Sequence, residues 1–177
     1  MSEKLTAKEY AEKLLYTPEY AADKQADVKE KAAAFAEGYK AFLDAAKTER
    51  EFVREAVLRL KEAGYEGFEE GKIYQPGDKV YQINRKKALL MSTFGKRPLE
   101  DGVRINVAHI DSPRLDLKPN PLYEKAEAAY FKTHYYGGIR KYQWATIPLA
   151  MHGVVILKDG TSMDICIGEK EGDPVFC

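Results

Sequence analysis

Apolar positions recur at steps of three and four in the first third of the chain, then close up into strand-like spacing. From Ala22 to Lys47 the stretch ADKQADVKEKAAAFAEGYKAFLDAAK sets Val28, Ala32, Phe35 and Tyr39 in one stripe, the period of a helix face. Its Ala, Lys and Glu favour that state, and Gly38 is its weak point. A second helix is predicted to open at Thr48. Thr48-Glu49-Arg50-Glu51 has the form of a capping box, in which Thr and Glu side chains satisfy free amides of the first turn. Phe52, Val53, Ala56, Val57 and Leu60 then share a face, and Gly64 supplies a stop. Both helices read as packing elements against a sheet.

After Gly64 the period shortens. KVYQINRKKALLMSTFG predicts a hairpin: a strand over 79–84, a turn at Arg85-Lys86 and a strand over 88–94. GVRINVAHI, Gly102 to Ile110, is apolar and β-branched, which predicts a buried strand. Two helices followed by at least three strands give an α/β or α+β pattern, of which α/β is the expected class. Past Pro113 no helical period survives. Pro119, Asn120 and Pro121 mark a bend, and turns are expected at Gly137-Gly138 and at Asp159-Gly160 between β-rich runs. A second, β-rich unit is therefore expected to begin near Leu115. Its about 60 residues are near the smallest size that folds alone, and a sheet that small leaves an open edge. The chain reads as cut inside a domain.

Composition narrows the function classes. The 177 residues carry 28 Lys+Arg and 28 Asp+Glu, a formal net charge of zero. No global field is available to hold nucleic acid or an anionic membrane. No apolar run is long enough to span a bilayer, and MSEKLTAKEYAEKLL lacks a secretory core; a cytoplasmic location is expected. Cys166 and Cys177 form no metal-ligand spacing. Cys166 is expected to be a buried thiol and Cys177 a frayed terminal one, in keeping with a reducing compartment.

The chemistry gathers in INVAHIDSPRLDLKP, Ile105 to Pro119. A neutral imidazole is a common metal ligand, and its second ring nitrogen usually donates to an orienting group. On a continuing strand His109 and Asp111 would share a face, at the sheet edge where α/β sites are built. A lone H-x-D motif also arises by chance, and zinc needs at least three protein ligands. His134 and His152 are the remaining histidines, each read first as a locally bonded strand or turn residue. Arg114 and Asp116 read as solvated charges at a strand end. Tyr135, Tyr136, Tyr142 and Trp144 form either a stacking platform for single-stranded nucleic acid or, as the zero net charge favours, an apolar face buried between subunits. Arg85-Lys86-Lys87 reads as a solvated turn.

VAHIDSPRLDLKPNPLYE, FKTHYYGGIRKYQW and IPLAMHGVVILKDG, in that order, resemble the M18 family of metalloaminopeptidases, the aspartyl aminopeptidase group, and most of all its bacterial branch. The resemblance implies a two-zinc α/β peptidase domain interrupted by a β-rich dimerisation domain. On that pattern residues 1–114 belong to the peptidase domain and 115–177 begin the insertion. His109 becomes the first metal ligand and Asp111 the aspartate that orients it. Tyr136-Gly137-Gly138 matches the glycine-rich motif of the insertion. A peptide substrate and a homo-oligomer built from dimers are implied, with His134 or His152 a possible contributor to a neighbouring active site. In such enzymes zinc lowers the pKa of a water and polarises the peptide carbonyl, while a glutamate handles the proton. The family's bridging aspartate, paired glutamates, later acidic ligand and final histidine fall beyond Cys177. The W-x-D-R-D-L pattern of many members is replaced by Trp144-Ala145-Thr146-Ile147-Pro148-Leu149. Two expectations follow: a portion of a zinc aminopeptidase, or alternatively an inactive module that serves assembly alone.

Overall fold

The computed structural model describes residues 6–16, 18–20, 24–25 and 27–177. It divides into two compact units, residues 1–41 and 42–177.

In the first unit Thr6 caps a helix α1, Ala7–Leu14, by a reciprocal box with Glu9. No helix was expected here, although Ala7, Tyr10, Ala11 and Leu14 stand at helical steps of three and four. A second helix, α2, runs Val28–Ala45 and carries on into the next unit. Its expected start near Ala22 lies outside the described residues. The stripe residues Phe35 and Tyr39 stay exposed.

The second unit opens with the end of α2 and helix α3, Glu49–Glu62. The box at Thr48 forms as the sequence predicts. Glu51 N–H donates to Thr48 Oγ1 at 3.4 Å, and Thr48 N–H donates to Glu51 Oε2 at 2.9 Å. The Phe42 and Phe52 rings meet edge-on at 5.0 Å, and the Arg59 guanidinium lies 4.9 Å over Phe42. Gly64, at φ +81°, lets the chain leave the helix. A short strand β1, Glu66–Gly67, pairs parallel with β2, Lys79–Asn84, which pairs antiparallel with β3, Ala88–Thr93. The loop between β2 and β3 holds Arg85 and Lys86 at positive φ, where the turn was expected. α3 packs on this sheet, and Val53 of α3 and Val80 of β2, at 3% and 4% exposure, are its buried pair.

Two hairpins follow. Strand β4, Arg114–Lys125, pairs with β5, Ala128–Tyr136, through a tight turn at Ala126-Glu127, both at positive φ. Neither residue is a usual turn former, so this turn left no signal. The expected bend at Pro119-Asn120-Pro121 is a register shift between Leu117 and Leu122, with Asn120 at φ +54°. A short helix α4, Lys141–Trp144, leads to β6, Met151–Ile156, which pairs with β7, Ser162–Ile167. The β6–β7 loop turns at Asp159-Gly160, as expected, where Asp159 Oδ1 accepts from the Thr161 amide at 2.9 Å.

Two expectations are corrected. Residues 102–110 form no strand; Val103, Ile105 and Val107 are exposed, Val107 to 89%. A strand is made by its ladder, and this run has no pairing partner among the described residues. Cys166 is exposed rather than buried. It shares a face of the β6–β7 hairpin with His152 and Asp164. α3 reaches that face through the polar side chains of Glu51 and Arg54, which leave the thiol open.

Candidate functional site

His109 and Asp111 lie in the irregular segment that leads into β4, so no strand pleat aligns them. A local bond does so instead. His109 Nδ1 lies 2.9 Å from the backbone carbonyl of Asp111 and 3.3 Å from its carboxylate Oδ1. A carbonyl oxygen only accepts, so Nδ1 carries the proton. Nε2 is left with its lone pair outward on a side chain 85% exposed. The motif thus delivers the orienting contact through the main chain first and the carboxylate second.

Asp111 is held from the far end of β5. The Tyr136 hydroxyl donates to Asp111 Oδ2 at 2.6 Å, a short charge-assisted bond. It holds the Asp111 carboxyl below the ordinary carboxylate value, and the charge it meets raises the Tyr136 phenol in turn. Arg114 stands opposite Tyr136 in the β4–β5 register, its guanidinium 4.2 Å over the ring. The same guanidinium donates to Asp116 at 2.8 Å and to the Ser112 carbonyl at 3.3 Å, and pairs with Glu49 of α3 at 3.1 Å. Arg114 and Asp116, expected to be solvated charges, are partners in a half-buried network.

The other histidines stand apart from this loop. His134 sits on β5 opposite Asp116 and stacks on Tyr135 at 5.4 Å. It lines a shallow open cavity of about 390 Å³ with Trp144 and Lys141. His152 is clasped between two carboxylates, Nδ1 at 2.9 Å from Glu51 Oε1 and Nε2 at 3.0 Å from Glu169 Oε1. Desolvation pushes its pKa down, but the bonds to Glu51 and Glu169 outweigh it and the net shift is upward. Both ring nitrogens are occupied, which leaves His152 no lone pair for a metal. Periodicity could not reveal this clasp, because its three members come from an N-terminal capping box and a distant hairpin. Of the aromatic set, Tyr136 bonds the H-x-D loop; Tyr135, Tyr136 and Tyr142 are all exposed.

Among the described residues no group of three or more His, Cys, Asp or Glu side chains is placed to hold a metal ion. The donor chemistry of His109 suits zinc, since its Nδ1–H is engaged and its Nε2 is free. It offers one ligand of the set a zinc site takes.

A family model described as "Aminopeptidase I zinc metalloprotease (M18)" matches residues 42–177. The chain belongs to the M18 peptidase family. A probable M18 family aminopeptidase 1 of Clostridium acetobutylicum is 52% identical over 147 residues, 81% of this chain and 32% of the relative. Its counterpart in Thermotoga maritima is 48% identical, covering 84% of this chain and 33% of the relative. The crystal structure of aminopeptidase I from Borrelia burgdorferi B31 superposes with a TM-score of 0.81 at 45% identity, over 86% of this chain and 38% of that one. The M18 aminopeptidase structure from Thermotoga maritima gives 0.81 at 43% identity, over 90% and 35%. This chain therefore spans about a third of the length of the M18 relatives it matches. The mixed helix and sheet fold is that of M18 aminopeptidases. No helix among the described residues is long and apolar enough to cross a membrane.

Proposed function

We propose that this chain is part of a zinc aminopeptidase that releases N-terminal residues from peptides, and that His109 supplies its first metal ligand. One observation carries the reading: an exposed imidazole whose Nδ1 is held by Asp111 while Nε2 stays free. That is the arrangement of a metal-binding histidine and its orienting partner. Asp111 acts on the reaction through His109, by fixing the ring's tautomer and direction. When bound, zinc would polarise the scissile carbonyl and make a water a better nucleophile. The remaining ligands and the general base would come from the part of the relatives' length that this chain does not span. Two ions, as the family resemblance implies, belong to that fuller site.

The domain boundary at 114/115 belongs to the same reading, with 115–177 beginning an inserted dimerisation unit. So does a homo-oligomer built from dimers in the cytoplasm. The alternative of a non-catalytic assembly module draws on the exposed apolar residues of the second unit, but assigns no role to the His109–Asp111 contact.

The test is a protein extended to the relatives' length, assayed for zinc content and for hydrolysis of N-terminal aspartyl and leucyl amides. Near-stoichiometric zinc with turnover, both strongly reduced by His109→Ala, is the expected result. Zinc content and turnover untouched by that substitution would remove His109 from the centre. Absence of both in the unaltered protein would leave the assembly reading.

A further inference from the structure

The H-x-D loop has no ladder to stiffen it, yet a metal ligand works only if its direction is fixed. The contacts that fix it come from the β4–β5 hairpin. The Tyr136 hydroxyl takes Asp111 Oδ2 at 2.6 Å, which leaves Oδ1 turned toward His109 Nδ1 at 3.3 Å. One residue later, Gly137 at φ +72° lies so close to Pro113 that a Cβ there would stand 3.4 Å from the proline ring. Arg114 covers the Tyr136 ring from the paired strand and bonds back to Ser112. The hairpin thus holds residues 111–112 by the Tyr136 hydroxyl on Asp111 and the Arg114 guanidinium on Ser112.

We propose that Tyr136 is a positioning residue for His109, acting through Asp111, so that the β4–β5 hairpin sets the direction of the metal ligand. The proposal rests on His109 being a zinc ligand. Tyr136 touches neither metal nor substrate. Its hydroxyl fixes the carboxylate rotamer, and the carboxylate with its own carbonyl fixes the imidazole. Tyr136→Phe keeps the ring beneath Arg114 and removes only the hydroxyl.

The experiment is a zinc titration of the protein extended to the relatives' length, with 15N-labelled histidine, followed by the ring nitrogen signals of His109. His109→Ala assigns the His109 signals. Four forms of this protein are compared: unaltered, Tyr136→Phe, Asp111→Ala and the double variant. The unaltered protein is expected to show His109 with Nδ1 protonated and Nε2 shifted by zinc. Tyr136→Phe should free the Asp111 carboxylate rotamer, loosen the ring and weaken zinc at His109 by about tenfold, the low end of what loss of an orienting partner costs. In the Asp111→Ala background the same change should cost nothing more, because its route is already cut. Equal zinc response with and without the hydroxyl would overturn the proposal. So would a loss of equal size in both backgrounds, which marks a structural effect. If zinc leaves the assigned His109 signals of the unaltered extended protein unmoved, the zinc reading itself fails and takes the proposal with it. Zinc at His109 with no effect of Tyr136→Phe removes the positioning role alone.

Discussion

His152 Nδ1 lies 2.9 Å from Glu51 Oε1, across 101 positions of sequence, and so ties the first turn of α3 to the β6–β7 hairpin. Glu51 already serves the Thr48 capping box through Oε2. One carboxylate therefore closes a helix end with one oxygen and holds a hairpin with the other. Glu169 takes the opposite side of the ring at 3.0 Å, and Arg54 of α3 pairs with Asp164 of β7 at 3.0 Å along the same contact.

Stability should depend on pH through this clasp. The His152 pKa is raised above its ordinary 6.5, so its contribution is full below 6.5 and fades as pH rises through the higher folded value. Glu51 is lowered from 4.5: desolvation pushes it up, and the bonds from His152 and Thr48 more than reverse this. Its contribution is full above 4.5 and fades as pH falls through the lower folded value. The clasp is strongest between these limits. His152→Gln should cost ~1.5–3 kcal/mol there, the range for a hydrogen bond to a charged partner, and less on either side. Urea midpoints of both proteins from pH 4 to pH 9 check this; a difference that does not vary with pH would contradict it.

The capping box gives a second prediction. Thr48→Ala removes the acceptor for the Glu51 amide and should lower stability by ~1 kcal/mol, as N-cap losses do. Because Thr48 also steadies Glu51, its effect should fall short of additive with His152→Gln. A double-mutant cycle in urea reads the coupling. Full additivity would mean that cap and clasp are independent.

Local chemistry made much of this legible. The Thr48 box, the Gly64 stop, the β2–β3 hairpin and the Asp159-Gly160 turn each rest on residues adjacent in sequence. What failed depends on partners. Residues 102–110 carry a strand's composition without a strand to pair with, and Cys166 stands on a face that its neighbours cover only by polar tips. The Ala126-Glu127 turn has no signal because neither residue favours positive φ by itself; the flanking ladder imposes it. At the candidate site, His109 and Asp111 were legible as a motif. Tyr136 was visible only as a member of an aromatic set and of a glycine-rich stretch, and its bond to Asp111 needs the β4–β5 register.

Gly137 and Gly138 should differ sharply. Gly137 sits at positive φ against Pro113, whereas a Cβ on Gly138 would meet nothing within 4 Å. Gly137→Ala should cost about 1–2 kcal/mol, the steric penalty of a left-handed L-residue. Gly138→Ala should be close to neutral. Thermal unfolding of the pair decides it, and equal shifts would contradict the assignment of the turn to Gly137.

Arg114 gives the sharpest test of how the loop is held. Its guanidinium serves Glu49, Asp116, the Ser112 carbonyl and the face of Tyr136 at once. That combination needs a planar fork with several donors, which an ammonium lacks. Arg114→Lys keeps the charge and should still destabilise by about 1–2 kcal/mol, more than an exposed ion pair contributes. Glu49→Gln should cost less, because Arg114 retains Asp116 and the ring. If the pairing spans α3 and β4 as a unit, the two substitutions together should cost less than their sum. Guanidinium chloride would screen the ion pairs, so the cycle belongs in urea at low salt. A lysine variant as stable as the parent would show that the charge alone suffices and that the planar contacts to Tyr136 and Ser112 contribute little.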